Sequence, residues 1–246
     1  MSRLWRVHHA QLPAVAGASI DLDTKQSHHV RRVLRLRVGE AVAVFDGKGN
    51  EWRAVVSCNA TGRVTLTLDA PLEADVEAPL ELELFQGLCK SDRMDWIVQK
   101  ATEVGVAAIH PFACRRSDAR RPREQRLERW RRIALEACKQ CGRSRTPVVE
   151  PSDGLPGVPQ EGTVAFVLEP EGAPLAECCA GLTGLPRVWI AVGPESGFEE
   201  EELRAWALAG WRRAGLGPRT LRAETAAVVA AAILLHRLGD LGRATG

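Results

Sequence analysis

From Leu80 onward, short apolar runs alternate with stripes of helical period, and this alternation constrains the fold more than any other feature of the chain. "LELELF" reads as a strand by its period of two, and "VAAIHPF", "TVAFVL" and "VWIAV" read as buried strands. "RRAGLG" is a further short one. Between them the spacing predicts helices over residues 91–104, 124–141, 199–209 and 224–238. In the first, Met94, Ile97, Val98, Ala101 and Val104 make the apolar stripe, with Ser91 as the expected N-cap and Gly105 as the stop. In the second, Leu127, Trp130, Ala134, Ala137 and Cys141 share a face, and Gly142 follows. The last is apolar nearly all round, which requires burial or a partner subunit. Strands alternating with helices imply a parallel sheet covered on both faces.

The first seventy residues follow another rule. "EAVAVFD", "EWRAVVSC" and "RVTLTLD" are strands separated by the turns "GKGN" and "NATG". Residues 71–79, rich in Pro, Ala and acids, read as a linker. The expected organisation is a β domain over 1–70, a linker over 71–79 and an α/β domain over 80–246. The longest apolar run, Ala226–Leu235, is too short to span a bilayer, and "MSRLWRVHHAQLP" lacks the apolar core of a signal peptide. Seven cysteines without framework spacing fit a reducing compartment, so the expected location is cytoplasmic. Cys138-x-x-Cys141 lacks the two further ligands that a zinc site needs, and it ends a helix where a redox pair would begin one. No metal is expected.

Net charge is only +2, but it is unevenly spread. Residues 115–145 hold twelve Lys/Arg against four acids, while residues 71–114 hold eight acids against three bases. Such asymmetry points to an anionic partner, most simply nucleic acid; the alternative is a solvated arginine-rich helix. On that helix Arg126, Arg129 and Arg132 lie away from the apolar face and are candidate phosphate contacts. Arg31, Arg32, Arg35 and Arg37 in the first domain are the other basic group.

"VGPESGFEEEE" follows a buried strand directly, and "GLGPRTLRAET" ends another. In open α/β sheets ligands bind beyond the carboxyl ends of the strands, and glycines let the backbone approach them. Neither loop has the Lys-Ser/Thr pair of a Walker motif, and no G-x-G-x-x-G is present. Two such loops suit a ligand that is heteroaromatic or amino-acid-like and carries no phosphate, as S-adenosylmethionine is. The alternative is a tight β–α connection with no ligand.

These blocks carry a resemblance. "HHVRRVLRLRVGE", "FDGKGNEW", "KSDRMDWIVQKATEVGV", "RWRRIALEACKQCGRSRTP", "AVGPESGF" and "LGPRTLRAETA" stand in the order seen in the RsmE family, which the chain resembles over almost its whole length. Members are 16S ribosomal RNA uridine-N3 methyltransferases of the SPOUT class. The resemblance implies a PUA-like β-barrel that binds RNA, an α/β domain with a trefoil knot, S-adenosylmethionine as cofactor and a homodimer with each cofactor site near the subunit interface. It implies cofactor contacts from Leu168, Gly193, Pro194, Glu195, Gly197, Leu216, Gly217, Arg219, Leu221, Arg222, Glu224, Thr225 and Ala226. Arg116, Arg143 and Arg222 are the arginines expected to orient the base and stabilise its charge, and Glu195 is a candidate proton acceptor or a holder of its loop. The other class compatible with the fold is a non-catalytic RNA-binding or assembly protein. Three positions depart from the family pattern: Ser196 replaces a glycine, Cys141 a serine and Arg115 an acid. A left-handed backbone at Ser196 would cost about 1 kcal/mol.

Overall fold

The computed structural model describes residues 4–60, 62–73, 76–116, 122–154 and 157–242. The chain divides into two compact units, one of residues 1–77 with 138–146, the other of 78–137 with 147–246.

In the first unit, β1 (Trp5–His8), β2 (Ser19–Asp21), a short helix α1 (Thr24–His28), a π-helical turn (His29–Val33), β3 (Ala41–Phe45), β4 (Glu51–Ala60) and β5 (Arg63–Pro71) follow in order. The helical turns are the departure from the all-β expectation for residues 1–70. Asp23 caps α1 by accepting the Gln26 N–H at 2.7 Å. The sheet order is β1-β3-β4-β5-β2, antiparallel except for the β1–β3 pair. Alternate residues Val42, Val44, Ala54, Val56, Val64, Leu66 and Leu68 fill one core.

Residues 138–146 join this unit through buried polar contacts. Arg6 donates from Nη1 to the Cys138 carbonyl at 2.6 Å and the Arg143 carbonyl at 3.1 Å, and from Nε to Glu51 at 2.8 Å. Thr146 N–H donates to Gly47 O, and Gly49 N–H to Ser144 O. A division at one linker does not anticipate this return, because nothing local in the sequence pairs Arg6 with a carbonyl 132 residues away.

The second unit contains β6 (Glu81–Gly87), α2 (Ser91–Val104), β7 (Ala108–Phe112), most of α3 (Glu124–Cys141), β8 (Val148–Val149), β9 (Thr163–Pro174), a single turn α4 (Leu175–Cys178), β10 (Arg187–Val192), α5 (Glu200–Leu208), β11 (Arg212–Gly215) and α6 (Ala223–Leu238). The sheet is parallel throughout, in the order β11-β9-β10-β6-β7-β8. Alternation along β6 explains the layering. Leu82 and Leu84 face a core shared with α2, α3 and α6, while Phe85 faces the opposite cluster with Leu203 and Trp206 of α5, and Trp211. Gly105 ends α2 in the left-handed region at φ 118°, as expected, but Ser91 is the first helical residue and Lys90 takes the cap position without a side-chain bond. Among the described residues, no helix is long and apolar enough to cross a membrane.

Candidate active site

Parallel strands β10 and β11 end at one cavity of about 630 Å³ in the second unit, and the middle of β9 runs along it. Its wall takes residues 168–171 from β9, residues 192–198 from the end of β10 and its loop, and residues 216, 217 and 219–223 from the loop before α6 and its first helical residue. Ala226, Leu203, Arg93 and Arg116 complete it. The volume falls in the range of small-molecule and cofactor sites.

The floor under the β10 loop is built from backbone and one buried amide. Gln86 Nε2 donates to Gly87 O at 3.0 Å and contacts the Val192 and Gly193 carbonyls at 3.4 Å. A Cβ on Gly87 would stand 2.6 Å from Pro194 Cδ, so only glycine admits the loop this close. The left-handed residue of that loop is Gly197 at φ 69°; Ser196 is not in that region, so the strain considered for it is absent. In the second loop Gly217 is left-handed at φ 99°.

Arg93, on the first turn of α2, reaches the β10 loop and the first turn of α6. Its Nη1 donates to Glu195 Oε1 at 2.8 Å, and its Nε lies 3.9 Å from Glu224 Oε2. Lys90 N–H is 3.4 Å from the same Glu195 oxygen. Burial opposes ionisation of Glu195, but hydrogen bonds from its own and the Lys90 N–H, with the charge of Arg93, outweigh it and hold the carboxyl below its ordinary value. A carboxylate so held is a weak proton acceptor and a good loop anchor. Beneath it, burial foremost, followed by the nearby Glu195 charge, pushes the Cys89 thiol up to about 12.

Of the cofactor candidates, Leu168, Gly193, Pro194, Glu195, Gly197, Leu216, Gly217, Arg219, Leu221, Arg222 and Ala226 all line this cavity. Glu224 and Thr225 do not; Glu224 stands behind Arg93. Arg116 and Arg222 line it, but Arg143 does not. Arg143 is a buried residue of the first unit whose Nε donates to Glu77 at 2.9 Å, a structural ion pair rather than a group facing a ligand. Arg93 and Glu169 are wall residues that sequence reasoning missed, while Ser196 and Phe198 stand in the loop it singled out without being named as contacts. For Glu169 the signal was present, since it directly follows the run "TVAFVL", although β9 continues through it to Pro174.

The basic candidates divide. Arg129 donates through Nε to both oxygens of Asp95, at 3.1 and 3.0 Å, so its charge is compensated. Arg126 lies over the Trp130 ring at 5.4 Å, and Arg132 is exposed. In the first unit Arg31 and Arg32 line a shallow recess with Val38 and Asn59, and exposed Arg35 has φ 54°.

This combination of a carboxyl-end cavity and a preceding small β unit defines a class. The profile of the RNA methyltransferase domain family matches residues 76–235, and that of the RNA methyltransferase PUA domain matches residues 22–57. The ribosomal RNA small subunit methyltransferase E of Synechocystis is 34% identical over 87% of this chain and 72% of its own, and that of Bacillus subtilis is 28% identical over 87% and 88%. The chain belongs to the ribosomal RNA small subunit methyltransferase E family, and its fold is the one the resemblance implied, a PUA-like domain followed by a SPOUT-class α/β domain. A crystal structure of the Neisseria gonorrhoeae methyltransferase E bound to S-adenosyl methionine superposes with a TM-score of 0.89, at 31% identity, covering 97% of this chain and 99% of that one. A putative methyltransferase of Legionella pneumophila, also in complex with that cofactor, gives 0.86 at 30% identity, covering 97% and 100%.

Proposed function

We propose that the chain transfers a methyl group from S-adenosylmethionine to N3 of one uridine in the 16S RNA of the small ribosomal subunit. The observation that carries this reading is the cavity at the carboxyl ends of β10 and β11, beside the middle of β9 and walled by two glycine-bearing loops. Its apolar residues Leu168, Val192, Leu216, Leu221 and Ala226 suit an adenosyl group, and loop N–H and C=O groups can read the ring edges. The cofactor supplies an activated methyl on a sulfonium.

The residues of this chain supply the rest. Uracil N3 lies on the Watson–Crick edge, so the base must be unpaired or turned out of its stack before it enters the cavity. The N3 proton passes to solvent, and the guanidinium groups of Arg116 and Arg222, two of the wall arginines, stabilise the resulting uracil anion as N3 takes the methyl and S-adenosylhomocysteine is left. Glu195, held by Arg93 and the Lys90 N–H, keeps the β10 loop in place rather than taking that proton. The first unit, with Arg31, Arg32 and Arg35, serves RNA binding, and the enzyme works in the cytoplasm as a homodimer.

Two measurements test the proposal. Calorimetry on the folded protein should show binding of S-adenosylmethionine and much weaker binding of NAD or ATP. Mass spectrometry of ribosomal RNA from a deletion strain should show one missing N3-methyluridine. Cofactor binding with an unchanged RNA would assign another substrate. No binding of either adenosyl compound would favour a non-catalytic RNA-binding protein.

A further inference from the structure

One position where the sequence departs from its family pattern, Ser196, bonds to the chain neighbour of another, Arg115. Ser196 Oγ donates to the Arg116 carbonyl at 2.9 Å, and Arg116 Nη1 returns a contact to the Ser196 carbonyl at 3.4 Å. Arg115 N–H donates to Glu202 Oε1 at 3.0 Å, while the other oxygen of that carboxylate accepts the Glu199 N–H at 2.8 Å. Glu202 is only 3% exposed, so it is a fixed point between the segment after β7 and the start of α5. The Arg115 guanidinium pairs with Glu199 and Glu201 on the same helix start.

Arg116 is the residue these contacts leave available. Its side chain is 52% exposed and lines the cavity, and its nearest carboxylate among the described residues, Glu199, is 3.8 Å away. A guanidinium with only long contacts keeps donors for an incoming acceptor. We propose that Ser196 and Glu202 are positioning residues that hold the backbone at Arg115 and Arg116, so that the Arg116 guanidinium meets an anionic oxygen of the nucleotide being methylated. This rests on the methyltransferase reading. The oxygen belongs either to the deprotonating uracil or to its phosphate; both offer the planar or bidentate acceptor that an arginine fork fits.

The test is a double-mutant cycle on the full-length protein with small-subunit RNA, comparing wild type, Ser196→Ala, Arg116→Ala and the double variant. Affinity for RNA is measured with S-adenosylhomocysteine present, and kcat/KM where turnover occurs. Cofactor affinity is measured by calorimetry. Loss of one neutral hydrogen bond predicts a roughly fivefold fall in RNA affinity and kcat/KM for Ser196→Ala. Cofactor affinity should stay within about twofold. Ser196→Thr, which restores the hydroxyl, should recover the loss, and Ser196→Ala should cost nothing further once Arg116 is alanine. Glu202→Gln, which cannot accept both N–H groups with the same charge, should resemble Ser196→Ala. Independent, additive losses, or a loss confined to cofactor affinity, would overturn the proposal. A uracil-oxygen contact makes Arg116→Ala lower kcat most, and a phosphate contact makes it lower RNA affinity and its salt dependence. Wild-type protein that binds RNA but transfers no methyl would refute the methyltransferase reading while the binding cycle still judged the clamp.

Discussion

At the scale of single residues, the site depends on a few backbone positions that tolerate one side chain only. Gly217 is left-handed, and among the described residues, its chain neighbours aside, no atom lies within 4 Å of where its Cβ would stand. Replacing it therefore meets no packed neighbour, but it strains the loop by about 1 to 2 kcal/mol and points bulk into space that a ligand needs. Gly217→Val should reduce S-adenosylmethionine affinity at least tenfold in calorimetry, with RNA binding retained and only a modest fall in Tm. Normal cofactor affinity in this variant would show that the loop does not touch the cofactor. Arg93 teaches a related point. Its helix was legible in "KSDRMDWIVQKATEVGV", yet its role was not, because its carboxylate partners Glu195 and Glu224 lie 102 and 131 residues further along. An ion pair between distant residues leaves no periodic trace, unlike a local pair such as Lys100–Glu103, three apart on α2, which forms at 2.9 Å.

At the scale of elements, the four long helices were legible almost to the residue because apolar stripes and glycine stops are local signals, whereas the short turns α1, His29–Val33 and α4 were not. The predicted helix over 124–141 has those bounds, and Leu127, Trp130 and Ala134 point inward. The charge along it was read less well. In the region's sequence the excess is eight positive charges, but Arg115 and Arg116 face Glu199, Arg129 faces Asp95 and Arg143 faces Glu77, all acids from outside that segment. Arg120 and Arg121 lie outside the described residues. Folding thus cancels part of the asymmetry, and the outward residues of α3 are not equivalent. Arg126→Glu with Arg132→Glu should weaken RNA binding and reduce the log–log salt slope by roughly 0.7 to 0.9 per lost phosphate contact. Arg129→Glu should instead lower Tm, by setting a like charge against Asp95, with a smaller change in slope. A filter-binding titration with thermal melts separates the two, and an unchanged slope in the first variant would leave RNA binding to Arg31, Arg32 and Arg35.

At the scale of the whole molecule, α6 carries the expectation of a second subunit. One face is buried through Ala227, Ala230, Ala231, Leu234 and Leu235, while Val228, Val229, Ala232 and Ile233 remain partly exposed. Light scattering at micromolar concentration should give twice the 26.8 kDa of one chain, and Ile233→Asp should shift it toward one. A wild-type monomer would remove the dimer from the functional reading. The aromatic cluster on the other face of the sheet has an optical consequence. Phe198 lines the cavity and meets Trp206 edge-on at 4.6 Å; Trp206 stacks on Trp211 at 5.4 Å, and Trp211 lies 5.9 Å from Trp189. Three of the seven tryptophans are therefore close enough to couple electronically, and the stack touches a cavity wall. Entry of a cofactor against Phe198 should change the near-ultraviolet circular dichroism and quench emission of this cluster, giving a label-free binding signal. Trp206→Phe should abolish most of that signal without abolishing binding by calorimetry, so the protein carries its own spectroscopic gauge of an occupied cavity.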